Sequence, residues 1–215
     1  MEIEVFFDLL LEEIKLNDDL SQYYKFHTSD RRFKFRKAYF VQRLQYIVDH
    51  MPKSKAVKVF DLGCGYGTTA LFLVLNGYRV EGITLEFYFK TIKKRMAYWS
   101  AFGDVSGFTY EYRNILDGIN DDAYDVIIAQ DTLHHLEPIG QALKKIHQAL
   151  KSDGILIAVE ENGSNVVQNL KLIKQRGFKK VKTIYDEVLE KDVLIGDENI
   201  RSLSAWDDLL SKNNL

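Results

Sequence analysis

From Val57 onward the chain alternates short apolar runs with amphipathic helical patterns, and this alternation narrows the possible folds more than any other feature. The runs cover 57–62, 78–84, 108–112, 124–129 and 155–159, and the helical patterns between and after them cover 68–76, 87–101, 139–150 and 165–175. Apolar runs without polar alternation suit strands buried on both faces, and helical crossovers join parallel neighbours. The pattern therefore predicts an α/β fold, a doubly wound, mostly parallel sheet with helices on both faces.

The first 50 residues lack strand alternation and read as helices. Ile3, Phe6, Phe7, Leu10 and Ile14 recur at helical spacing, as do Phe40, Leu44 and Ile47, and Pro52 closes the second helix. The expected organisation is a helical N-terminal extension over 1–52 and an α/β domain over 53–215 with an insertion at about 162–200. Within that insertion, 178–193 reads as two strands or as irregular chain. A short helix is expected over 204–210 with Ser204 as its N-cap.

Composition excludes several classes. With 215 residues, 46% hydrophobic and 28% charged, the chain has room for a core and is not a disordered or collagen-like sequence. The lone Cys64 forms no internal bridge and points to a reducing compartment. The start, MEIEVFFDLLLEEIKL, is acidic and has Asp8 inside its apolar run, unlike a secretory signal. No stretch reaches the roughly 18 apolar residues of a membrane span, so a cytoplasmic protein is expected. A net charge of −2, from 29 basic and 31 acidic residues, argues against whole-chain attraction to nucleic acid.

Chemistry concentrates after the first run. Asp61-Leu-Gly63-Cys64-Gly65-Tyr-Gly67 lies between a strand and a helix, where glycines let backbone approach a ligand. A dinucleotide fingerprint requires Gly at position 68, but Thr68 stands there. An acid at the strand end would repel a pyrophosphate and suit a ligand bearing ammonium and sulfonium charges.

This loop resembles motif I of the class I S-adenosylmethionine-dependent methyltransferases, of the small-molecule, type 11/12-like kind. Five further segments resemble that family in order: Val80-Glu-Gly-Ile-Thr84, Tyr112-Arg-Asn114-Ile115-Leu, Tyr124-Asp-Val-Ile-Ile-Ala-Gln130, Leu133-His-His-Leu136 and Ala149-Leu-Lys-Ser-Asp-Gly-Ile-Leu156. The resemblance spans about 55–160 and implies a Rossmann-like sheet that binds S-adenosyl-L-methionine. The residues it places on the cofactor are Asp61, Gly63, Cys64, Gly65, Gly67, Thr84, Glu86, Asn114, Ile115 and Gln130. Thr84 stands where the family usually has a ribose-binding acid, so Glu86 is expected to supply that carboxylate. Asn114 replaces a frequent Asp at the adenine and can accept from the exocyclic amine through its carbonyl oxygen.

The resemblance implies methyl transfer by in-line displacement to a small-molecule acceptor, while the charge and the lack of a long apolar run argue against nucleic-acid and membrane partners. If Asp131, His134 and His135 open a helix, they share one face at the mouth of the sheet. His134 is the candidate base, His135 is expected to pack, and no metal site is expected. Basic residues interleaved with aromatics over 25–37 also fit an RNA or protein methyltransferase. A cofactor-binding subunit without chemistry of its own is a third reading. The preferred role for that segment is a lid, with Tyr23, Tyr24, Phe33, Phe35 and Tyr39 closing over cofactor and acceptor. The family's sheet usually ends in an antiparallel strand pair. Here it is expected to stop short, leaving an uncovered strand that would favour a homodimer; the alternative is that 178–193 supplies the pair.

Overall fold

The computed structural model describes residues 1–26, 29–85 and 88–215. Three helices come first: α1 (Ile3–Lys15), α2 (Asp18–Tyr24) and α3 (Asp30–His50). The α/β part follows as β1 (Lys58–Leu62), α4 (Thr68–Leu75), β2 (Arg79–Thr84), α5 (Phe89–Trp99), β3 (Phe108–Tyr112), β4 (Tyr124–Gln130), α6 (Ile139–Ala149) and β5 (Leu150–Val159). The chain ends with α7 (Val166–Arg176), the hairpin β6 (Val181–Asp186) and β7 (Lys191–Gly196), and α8 (Leu203–Ser211). No helix among the described residues is long and apolar enough to cross a membrane.

Strands β3-β2-β1-β4-β5 form one all-parallel sheet. Its central strands β1 and β4 are largely apolar because both faces are covered. Val59, Val126 and Ile128 join a core with α1, α3, α4 and α5, while Phe60, Leu62, Ile127 and Ala129 join a second core with α6 and α8. The chain reverses direction across the sheet between β1 and β4, and ligands in such sheets bind at the carboxyl ends beside that switch point.

The N-terminal helices belong to the first core rather than forming a separate appendage. Phe6 stacks on Trp99 of α5 with centroids 4.4 Å apart. Beneath them, buried Glu13 of α1 grips Arg95 of α5 through both oxygens at 2.9 and 2.7 Å, and takes the Trp99 indole N–H at 2.9 Å. The turn from α3 into β1 matches the sequence reading, since Met51 before Pro52 is extended and ends the helix.

The main sheet has five strands. The segment 181–196 does form an antiparallel pair, but as a separate two-stranded sheet. The hairpin lies across the carboxyl ends of the main sheet. At one end the Tyr112 hydroxyl donates to Asp186 at 2.7 Å and Lys191 pairs with Asp117. At the other end Ile195 bridges to Leu136. Gly196 is required there: an added Cβ would lie 2.0 Å from the His134 carbonyl oxygen. Glu137, paired with Arg201 at 2.8 Å and receiving the Asn199 amide at 2.6 Å, clips the exit of the hairpin. One capping expectation is corrected: Ser202 caps α8, its Oγ accepting from Ala205 N, and Ser204 sits inside the first turn.

Candidate functional site

A cavity of about 630 Å³ opens at the switch point, and the sequence-predicted residues Asp61, Gly63, Cys64, Gly65, Thr84, Asn114, Ile115 and Gln130 line it. The β1 exit turns sharply because the N–H groups of Gly63 and Cys64 both donate to Ile83 O at 2.9 Å. Asp61 is 3% exposed, and its Oδ2 has no hydrogen-bond partner among the described residues. Burial pushes its carboxyl up to about 7, against the downward pull of the Ala70 N–H. An orphaned buried carboxylate beside a glycine turn calls for a cationic ligand group.

Several expectations change. Gly67 does not line the cavity; it precedes α4 at φ +74°, and an added Cβ would lie 2.7 Å from the Phe108 ring. The Asn114 carbonyl oxygen already accepts from Leu116 N at 3.0 Å, which leaves its second lone pair and the amide nitrogen for a ligand. Gln130 accepts from the Thr69 hydroxyl at 3.2 Å. Glu86 lies outside the described residues. Of the expected lid, Tyr23 and Tyr24 line the cavity. Phe33 packs against Phe7 and Phe26, while the exposed Phe35 and Tyr39 line a different groove.

The stretch after β4 is not the start of a helix. Leu133–His135 is a single 3-10 turn, and α6 begins only at Ile139 after the extended Pro138. Asp131 therefore shares no helix face with the histidines; it adopts φ +52° and pairs with Arg43 of α3 at 2.6 Å. Arg43 also donates to Val159 O at 3.2 Å and to the Tyr39 hydroxyl, which fastens α3 to the ends of β4 and β5. His134 is buried, and its partner is Glu160, which follows β5 directly. Glu160 accepts from Thr132 N and Leu133 N at 2.9 and 2.7 Å and holds His134 Nδ1 at 2.5 Å.

On the other side, Glu198 lies 3.8 Å from His134 Nε2. Burial alone would lower the His134 pKa, but the Glu160 bond and the Glu160, Glu198 and Asp131 charges outweigh it and hold the imidazole above its usual 6.5. His135 does not simply pack: its Nδ1 meets Gly196 O at 2.9 Å, and His134, His135 and Glu198 bring one ligand atom each within 4.8 Å of one another.

Sequence reasoning missed Glu160, Glu198, Arg43 and Arg95. Arg95 donates to Tyr66 O at 2.8 Å and Thr68 Oγ1 at 2.6 Å, so the α1–α5 ion pair carries the glycine turn. The only local signal among the four was the acid pair Glu160-Glu161 ending an apolar run.

A doubly wound parallel sheet with a buried acid and a glycine turn at its switch point defines a nucleoside-cofactor-binding α/β domain. Residues 60–158 match the family model of a methyltransferase domain. Among curated proteins, the ubiquinone biosynthesis O-methyltransferase of Rickettsia prowazekii is 26% identical over 121 residues, covering 54% of this chain and 46% of that protein. The non-reducing polyketide synthase nvfA of Aspergillus novofumigatus is 27% identical over 139 residues, covering 62% of this chain and 6% of that one. The chain thus spans less than half the length of either. The crystal structure of the PH0226 protein from Pyrococcus horikoshii OT3 shares the fold, with a TM-score of 0.58 at 19% identity over 89% of this chain and 85% of that one. Over residues 60–158 the chain is similar to methyltransferase domains, on the fold it shares with the Pyrococcus protein.

Proposed function

We propose that the protein transfers a methyl group from S-adenosylmethionine to a hydroxyl of a small-molecule acceptor. The observation that carries this reading is the His134–Glu160 pair, set in the same cavity as the orphaned Asp61 carboxylate. When bound, the cofactor supplies an electrophilic methyl group on a sulfonium. Asp61 receives its ammonium, and the backbone of Gly63 and Gly65 gives the amino-acid portion close approach. Thr84 faces the ribose, and the Asn114 amide and Ile115 hold the adenine. Gln130 stays near the methionine end, and Tyr23 and Tyr24 close the outer side against water.

His134 acts at the acceptor. Glu160 fixes its Nδ1 as the protonated nitrogen, which leaves Nε2 as the atom that would take the proton of an acceptor hydroxyl. Holding oxygen, carbon and sulfur in line is the larger part of the rate gain, because the donor is already activated. The name of the Rickettsia relative, an O-methyltransferase, supports an oxygen acceptor.

The single thiol, buried Cys64, supports a cytoplasmic setting. The β5 edge of the five-stranded sheet supports pairing of two copies. Calorimetry with S-adenosylmethionine and S-adenosylhomocysteine tests the cofactor half, and absence of binding refutes it. A mass increase of one methyl group on hydroxylated acceptors, lost in His134→Ala, tests the chemical half.

A further inference from the structure

The basic, aromatic stretch at the start of α3 is not used by the reading above. It faces α7 across a groove of about 970 Å³, lined on one side by Arg31, Arg32, Phe35, Arg36 and Tyr39 and on the other by Lys171, among others. Neither Arg31 nor Arg32 has an ion-pair partner among the described residues, although the chain carries 31 acids. Among the described residues Arg36 donates only to the Tyr24 carbonyl, at 3.0 Å.

The two acids on the groove wall are already engaged. Glu160 holds His134 and two backbone N–H groups, and Glu161 accepts from the Gln168 amide at 2.8 Å. Arg31, Arg32, Arg36 and Lys171 outnumber those two carboxylates, so the groove is net positive in a chain of net charge −2. Phe35, 70% exposed, stacks on Tyr39 with centroids 6.2 Å apart and planes at 18°, giving the cationic wall an apolar floor.

The groove adjoins the cavity. Glu161 lines both, and Glu160 lines the groove while its carboxylate grips the histidine in the cavity. Tyr39, on the groove side, bonds Arg43, which pairs with Asp131 on the cavity side. We propose that this groove binds a phosphate ester carried by the methyl acceptor, so that a guanidinium-held phosphate positions the acceptor's hydroxyl at His134. The inference rests on the reading that His134 marks the acceptor end of the cavity. Guanidinium groups match phosphate oxygens in pairs, and a bounded volume of this size fits one small anionic molecule or arm rather than a polymer track.

The test is calorimetric titration of the protein with glycerol 3-phosphate, 4′-phosphopantetheine and a ten-residue oligoribonucleotide, each repeated on Arg31→Glu/Arg32→Glu. S-adenosylhomocysteine binding is measured on both proteins as the control. A phosphate ester should bind, and the double variant should weaken it about tenfold or more while leaving S-adenosylhomocysteine affinity unchanged. Preference for glycerol 3-phosphate supports a free phosphorylated acceptor, and preference for 4′-phosphopantetheine supports a phosphorylated arm of the kind a carrier protein bears. No binding by either ester, or binding indifferent to the charge reversals, overturns the proposal. Oligoribonucleotide binding that is tighter than either ester and steeply salt-dependent also overturns it. Loss of S-adenosylhomocysteine binding by the unaltered protein would strike the methyl-transfer reading instead.

Discussion

Replacing Asp61 by Asn separates what the carboxylate costs the cofactor-free protein from what it gives the cofactor. In the unfolded chain the group titrates near 3.8; in the fold burial raises it to about 7. Between those values the folded state holds a proton that the unfolded state has released, so stability falls as pH rises, by about 1.4 kcal/mol per unit. The contribution is complete below pH 3.8 and gone above pH 7, a total of about 4 kcal/mol. Asn removes that dependence but leaves its own amide unpaired in place of the orphaned Oδ2, at a cost of about 1–3 kcal/mol. At pH 8, Asp61→Asn should therefore be the more stable protein by on the order of 2 kcal/mol, equivalent to about 4–8 °C in melting temperature. At pH 5 the advantage should vanish or reverse. Urea unfolding of both proteins at the two pH values, without cofactor, measures the difference and cancels every other titrating group. Cofactor affinity should move the other way. For the unaltered protein it tightens as pH rises to 7 and weakens again above about 8, where the cofactor's own α-amino group loses its proton. The variant should bind weakly, with no rise below pH 7. Equal pH slopes of stability in the two proteins would refute the argument.

Two further outcomes follow from the geometry. His134→Ala should lower turnover by about 10²-fold or more while leaving S-adenosylhomocysteine affinity intact. In the unaltered enzyme kcat/KM should climb through a midpoint above 6.5, because Glu160 holds the proton on the ring; turnover should survive EDTA, and a loss on chelation would put a cation among His134, His135 and Glu198. Glu13→Ala should destabilise the fold by about 3–5 kcal/mol in urea unfolding, because it strands the buried Arg95 guanidinium. It should also weaken cofactor binding, since Arg95 holds Tyr66 O and Thr68; unchanged affinity would show that the turn stands without it.

The central fold was legible because its signals are local. Strands β1, β2 and β4 are apolar runs buried on both faces, and the glycine turn is contiguous in sequence. β5 begins at Leu150, five residues before its apolar run, since Lys151, Ser152 and Asp153 are exposed and carry no strand pattern. The hairpin was ambiguous for a similar reason: β6 exposes Thr183, Ile184 and Tyr185 in succession, so period-two alternation is lost. The site was legible only where one loop supplies it. Glu160 lies 26 residues from His134, and Glu198 lies 64 away, so no spacing rule could join them. Asp131 was misplaced because Leu-His-His-Leu reads equally well as a helix start or as one tight turn. The cis bond at Glu137-Pro138 follows that turn, and α6 starts after it.

The hairpin shares no ladder with the five-stranded sheet, yet it roofs the cavity through Ile184, Ile195 and Glu198. It is fastened at its two ends, by Asp186 and Lys191 on one side and by the Gly196–His135 bond and the Glu137–Arg201 pair on the other. Side chains between those anchors can be exchanged without disturbing either hydrophobic core. The roof of the cavity and its glycine-turn floor are therefore separately editable. A change in the roof needs only new residues along one ribbon, whereas a change at the glycine turn has to pass through the buried pair that joins α1 to α5.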